Sequence, residues 1–237
     1  MFFDPMYFLF LAPAILLSLW ASFRTKSAFK KYSQVRVASG MTGAQAAQRL
    51  LVQAGIRDVE IVPTHGMLSD HYNPVTKKLA LSEPVYASNS IAAVGVACHE
   101  AGHAIQHAHH YKPLWLRSAL VPTAKIGSSL GWIVMVVGLM MMQGAQGEAG
   151  QTVVLAGALL FSAVLLFQIV TLPVEFDASK RAKVLAVEQG IVLPQEREGV
   201  DRVLNAAALT YVAAMLSTLM TLLYYLMRAG LLGGRRD

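Results

Sequence analysis

Four long apolar stretches punctuate the chain, and a polar, more finely patterned segment separates the first from the second. The stretches run from about Met6 to Phe23, Ile126 to Met142, Val153 to Leu172 and Ala206 to Met227. Each approaches the roughly 20 apolar residues a helix needs to cross about 30 Å of hydrocarbon. The pattern predicts about four transmembrane helices. Asp4 precedes the first stretch, whereas Arg24, Lys26, Lys30 and Lys31 follow it. That is the reverse of a signal peptide's charge order, so an uncleaved anchor with its N-terminus outside is expected. The second and third stretches form a pair joined by Gln143 to Gln151, a loop without Lys or Arg, while Arg117, Lys125, Lys180, Arg181 and Lys183 flank the pair. The loop should face out and both flanks the cytoplasm. The fourth stretch carries Thr210, Ser217, Thr218 and Thr221. A full crossing there places Arg228, Arg235 and Arg236 outside, against the same rule; the alternative is a segment that packs on the catalytic region or re-enters.

Between anchor and pair, Thr42 with Gln45 forms a capping box, Leu50, Leu51 and Val52 continue an apolar face, and Gly55 ends it. A helix of about three turns follows from these signals. Val59 and Ile61, then Leu79, Leu81 and Val85, alternate with polar residues, and His71-Tyr72-Asn73-Pro74 reads as the turn between two strands. The domain layout expected is an anchor at 1–23, an α+β region at 24–117, a transmembrane hairpin at 118–172, a further polar region at 173–205, and an apolar helix with a basic tail at 206–237.

Composition sharpens this picture. Hydrophobic residues make up 55% of the 237-residue chain and charged residues 14%, below the roughly 25% charged residues of soluble domains. Disorder and collagen are excluded. The excess of 20 Lys and Arg over 14 Asp and Glu, +6 in all, suits loops beside anionic lipid and implies a bilayer partner, with no nucleic acid expected. The single cysteine, Cys98, rules out an intrachain disulfide.

The strongest chemical signal is His99-Glu100-Ala101-Gly102-His103. Residues four apart share a helix face, so both imidazoles can meet one zinc ion while Glu100 borders the open position as general base. Random placement of 7 His among 237 residues with the chain's glutamates predicts roughly 0.007 such patterns, which makes coincidence a poor explanation; a polar helix face with two incidental histidines is the competing reading. Ser88-Asn89-Ser90 can cap this helix, and Ile91, Val94, Val96 and Ile105 give it an apolar back. Cys98 points about 100° away from His99 and reads as a buried thiol, not a ligand.

A catalytic zinc takes three protein ligands, and the candidates for the third are His107, His109, Glu175 and Asp177. His109 has the metzincin spacing, but that arrangement needs a glycine where Gln106 stands. His107 lies a full turn beyond His103. Glu175 follows the third apolar stretch on the same side as the His99 helix, where an acid is costly unless it pairs, with Lys180 or Arg181 for example, or binds metal. Asp177 points elsewhere on a helix and is better placed to orient a ligand histidine. His71 is a candidate catalytic donor to the oxyanion or to a substrate terminus; organising its own turn is the competing role. The strand around Leu79 to Leu81 either receives an extended substrate by strand addition or is a core strand.

With these residues in place the chain resembles the YugP-like membrane zinc metallopeptidases of bacteria, distant relatives of the HtpX and CAAX prenyl proteases. The resemblance spans nearly the whole chain. It rests on Lys30-Lys31-Tyr32-Ser33, Met41-Thr42-Gly43-Ala44, Asp70-His71-Tyr72-Asn73-Pro74, Leu81 to Tyr86, His99 to Gln106, Leu116 to Pro122 and Leu172 to Ala182, in that order. It implies one zinc held by His99, His103 and Glu175, Glu100 as base, and a gluzincin-type site facing the cytoplasm of a bacterial inner membrane. Peptide or protein substrates, membrane proteins among them, are the partners it implies. The fold class expected is a mainly α membrane protein of about four transmembrane helices with a small cytoplasmic α+β zincin-like region. A site-2 type intramembrane protease fits less well, because the apolar run before His99 is short and no Asp-Gly pair exists. A non-catalytic zinc-binding membrane adaptor or metal carrier is the other reading, and it has no need of Glu100.

Overall fold

The computed structural model describes residues 5–66, 69–143 and 147–232. Residues 144–146 of the expected outer loop, and Arg235 and Arg236 of the basic tail, lie outside the described residues. The element order is α1 (Pro5–Tyr32), α2 (Gly43–Gln53), β1 (Glu60–Thr64), β2 (His71–Asn73), β3 (Lys78–Ser82), α3 (Glu83–Tyr86) and α4 (Ile91–Ala108). Then come α5 (Lys112–Ile126), a π-helical turn (Gly127–Gly131), α6 (Trp132–Met142), α7 (Gly147–Glu188) and α8 (Arg197–Arg228).

Among the described residues, four helical runs are long and apolar enough to cross a membrane: α1, the continuous Lys112–Met142 run, α7 and α8. Each contains one of the apolar stretches read from the sequence. The protein is thus a mainly α membrane protein with a small α+β region. The 42 residues of α7 rise about 63 Å at 1.5 Å per residue, twice the roughly 30 Å of hydrocarbon. A large part of α7 therefore lies outside the apolar layer, and its polar residues concentrate after Leu172.

Two compact units partition the described residues, one of 5–20, 116–171 and 211–232, the other of 21–115 and 172–210. The first unit has a small core of Leu11, Met135, Ala158, Phe161, Tyr224 and Tyr225. Its helices α6 and α7 approach so closely that a Cβ at Gly138 would lie 2.6 Å from the amide nitrogen of Val154. Such contacts let backbones meet where no hydrophobic force drives helices together in lipid. Leu9 and Leu159 stay 69% and 73% exposed, as side chains that face lipid do.

The second unit is built around α4, whose start is set by Ser90: its Oγ accepts from the Ala93 amide at 3.2 Å. Ile91, Val94, Ala97, Cys98, Ala101 and Ile105 are buried against Leu50 and Leu51 of α2, Leu79 and Leu81 of β3, and Ala182 and Ala186 of α7. Helix α2 carries the expected capping box between Thr42 and Gln45, and Gly55 takes the left-handed φ of +74° that ends it. The sheet has the order β1-β3-β2, with β1 parallel and β2 antiparallel to β3.

Two local expectations are corrected here, and an open choice between two readings is decided. His71-Tyr72-Asn73 is itself strand β2, paired with Lys78 to Ala80; the turn begins only at Pro74, where the Asn73 side chain accepts from the Val75 and Thr76 amides. Val85 lies in α3, not in a strand, because Glu83-Pro84 opens a helical turn there. Strand β3 is paired on both edges, so of the two readings of Leu79 to Leu81 the core strand holds, and any strand addition is left to β1 or β2.

Candidate metal centre

On α4, one helical face presents His99 and His103. Glu175 reaches them from α7, and what allows it is Gly102: a Cβ there would lie 2.7 Å from the carbonyl oxygen of Ala178. Any larger residue at the middle of the motif would push α7 and its carboxylate away. Glu175 is 2% exposed and His103 6%. The Glu175 carboxylate oxygen Oε2 lies 3.2 Å from His99 Nε2 and 3.6 Å from His103 Nε2. Burial pushes the Glu175 carboxyl up, but hydrogen bonding and charge from His103 and His99 outweigh it and hold the group well below the usual carboxylate range.

These donors fit zinc. The three ligand atoms all lie within 4.8 Å of one another, and donors about 2.0–2.1 Å from a tetrahedral ion stand about 3.3 Å apart, close to the two nitrogen–oxygen separations observed. Two imidazoles and one carboxylate also form one of the donor sets that zinc hydrolases use. Glu100, one residue after His99, is buried at 8% exposure.

The outer nitrogens of both imidazoles are engaged. Ser179 Oγ lies 3.1 Å from His99 Nδ1, and Gln106 Oε1 lies 3.0 Å from His103 Nδ1. The Gln106 oxygen can only accept, so a neutral His103 carries its proton on Nδ1 and leaves Nε2 bare toward the cluster, whereas the Ser179 hydroxyl can donate or accept. Asp177 does not touch a histidine, contrary to expectation: its Oδ2 accepts from Gln106 Nε2 at 2.8 Å and from Arg181 Nε at 2.5 Å. Burial raises the Asp177 carboxyl, yet Arg181 and Gln106 lower it by more. Arg181 therefore pairs with Asp177, so the Glu175 carboxylate is left to the histidines.

The remaining candidates go elsewhere. His107 Nδ1 lies 2.8 Å from the Tyr72 hydroxyl, and burial keeps that hydroxyl protonated by pushing it up to about 12. His109 lines a cavity of about 450 Å³ with Ile105, Asp177, Lys180 and Arg181. His71 opens β2 at the surface with Nδ1 2.8 Å from the Ser69 carbonyl. Its side chain alternates with that of Tyr72, which packs on the core. Cys98 is fully buried, and desolvation pushes its thiol up to about 12, an inert state. Gln106 and Ser179 were missed as partners. The available signal was spacing: Gln106 lies three residues after His103 and Ser179 four after Glu175, the same-face intervals of a helix.

A mainly α membrane protein with a buried two-histidine, one-glutamate cluster that could hold a metal ion has the features of a zinc-dependent hydrolase. The sequence comparison agrees, since residues 7–230 match the family described as "Putative neutral zinc metallopeptidase", and the chain belongs to that family. It is 46% identical over 223 residues to the "Putative membrane protease YugP" of Bacillus subtilis (strain 168), a match covering 94% of this chain and 96% of that protein. No solved structure matches the chain.

Proposed function

We propose that the protein is a membrane-embedded zinc metalloendopeptidase of gluzincin type that hydrolyses peptide bonds of protein substrates at the cytoplasmic face of a bacterial inner membrane. The observation that carries this reading is the convergence of His99, His103 and Glu175 within 4.8 Å, beside a buried Glu100. His99 Nε2, His103 Nε2 and the Glu175 carboxylate would hold one zinc ion. When bound, zinc supplies the Lewis acidity that makes water a nucleophile near neutral pH and polarises a peptide carbonyl. The Glu100 carboxylate takes the proton released as water attacks the peptide carbon and delivers it to the departing amine nitrogen. Glu175 cannot share that work, because its carboxylate faces both ligand histidines and would be taken up by the ion. His71 enters as a surface group of the edge strand that meets substrate away from the scissile bond, a role supported by its exposure.

Glu100→Gln is expected to keep one zinc per chain and to lose proteolysis of an unfolded protein substrate by at least about two orders of magnitude, the weight of a positioned general base. In the same assay His71→Ala raises KM and leaves kcat near wild type. Near-normal turnover by zinc-replete Glu100→Gln contradicts the mechanism, whereas no turnover by the zinc-replete wild type leaves an adaptor or carrier.

The cytoplasmic orientation is supported by the basic residues after Phe23 and around the hairpin. In a Cys98→Ser background, an impermeant thiol reagent applied to intact cells should modify a cysteine placed at Gly147 and miss one placed at Lys31. The reverse labelling inverts the topology.

A further inference from the structure

We propose that Gln106 is a positioning residue that sets His103 and Glu175 in register with one another, an inference that rests on these two being metal ligands. Gln106 is completely buried, which for a neutral amide is costly unless every polar atom is matched. All are matched. Oε1 faces His103 Nδ1 at 3.0 Å, while Nε2 donates to the carbonyl of Val174 and to Asp177 Oδ2, both at 2.8 Å.

The two acceptors of that amide nitrogen bracket the third ligand in sequence, Val174 one residue before Glu175 and Asp177 two after it. A single side chain of α4 therefore grips both ends of the turn of α7 that carries Glu175, while its oxygen fixes the ring of the histidine one helical turn back. The amide cannot flip. Reversal would set Oε1 against the Val174 carbonyl and the Asp177 carboxylate, and N–H against the proton on His103 Nδ1. The carbonyl oxygen thus stays on the imidazole, and His103 keeps the tautomer whose Nε2 is bare.

Gln106 also inserts a neutral group between the imidazole and an acid. A carboxylate set directly on a ligand histidine raises its basicity. Here the Asp177 charge stops at the amide and is balanced by Arg181 on its other side. Asp177 and Arg181 act through Gln106, as its anchor, and the His103 ring is oriented without receiving the charge. His99, by contrast, has a serine hydroxyl at the same place, which can turn and is more easily replaced by water.

The test uses the full-length protein in detergent, with zinc affinity measured by chelator competition and the visible absorption of the cobalt(II)-substituted protein as a report on donor geometry. Gln106→Met keeps the volume and removes all three polar contacts. We expect its zinc affinity to fall about 10- to 100-fold and its cobalt spectrum to change in intensity and band position. Gln106→Glu keeps the acceptor for His103 but loses both donors and faces Asp177 with like charge. Adding Asp177→Asn reverses the polarity of that contact, so the double variant should recover most of the affinity and spectrum that Gln106→Glu loses.

Wild-type zinc affinity and an unchanged cobalt spectrum in Gln106→Met overturn the assignment, as does a double variant that binds no better than Gln106→Glu alone. If Gln106→Met does not fold, the comparison of Gln106→Glu with its double variant decides. His103→Ala separates this failure from failure of the metal site itself: full zinc binding by that variant rejects His103 as a ligand, whatever Gln106 does.

Discussion

Gly138 against Val154 in the apolar hairpin and Gly102 against Ala178 beside the metal donors are both helix crossings in which an absent Cβ brings two backbones together. The distances a Cβ would meet are nearly equal, 2.6 Å to an amide nitrogen in one and 2.7 Å to a carbonyl oxygen in the other. What surrounds them is not. Around Gly138 the neighbours are Val154 and the backbone of Gly150, and close packing is the whole return. Around Gly102 the same closeness delivers Glu175 to two histidines and lets Gln106 and Ser179 bridge the helices. One crossing builds a scaffold, whereas the other assembles a donor set that neither helix holds alone.

The comparison breaks most visibly on a bulky substitution. Gly102→Val and Gly138→Val should each cost about 1–3 kcal/mol through overpacking, read as a lowered thermal midpoint. Only Gly102→Val should also lose most of its zinc, because α7 must retreat with Glu175. Metal content by mass spectrometry on the two folded variants separates them, and equal zinc in both removes Gly102 from the account of the site.

That contrast also explains what the sequence discloses. The four apolar stretches, the capping box at Thr42 and the His99 to His103 motif are local patterns, and all appear as helices in the structure. The meeting of Glu175 with the two histidines was legible because Glu175 is the first acid after an apolar run. Gln106 and Ser179 were not, since their partners depend on how α4 crosses α7, which no local pattern encodes. Asp177 was assigned to a histidine when the intervening amide of Gln106 takes its oxygen. Strand β2 was missed for a different reason: three residues pair too briefly to outweigh the Asn-Pro turn signal that overlaps them.

A smaller effect sharpens the difference between the two histidines. Ser179→Ala removes one rotatable hydroxyl from His99, whose side chain is 14% exposed, so water can take its place. The loss of zinc affinity should stay under about tenfold, below the range typical of such partners and below that of Gln106→Met in the same chelator titration. A larger loss in Ser179→Ala reverses the ranking of the two supports.

The central claim is that α7 supplies the third donor through Glu175. Zinc measured per chain by mass spectrometry on purified Glu175→Ala and His109→Ala tests it most directly. The account predicts that Glu175→Ala loses most of its metal, because two imidazoles alone retain the ion poorly in an open tetrahedral site, and that His109→Ala keeps close to one zinc per chain. A zinc-replete Glu175→Ala beside a zinc-free His109→Ala contradicts it.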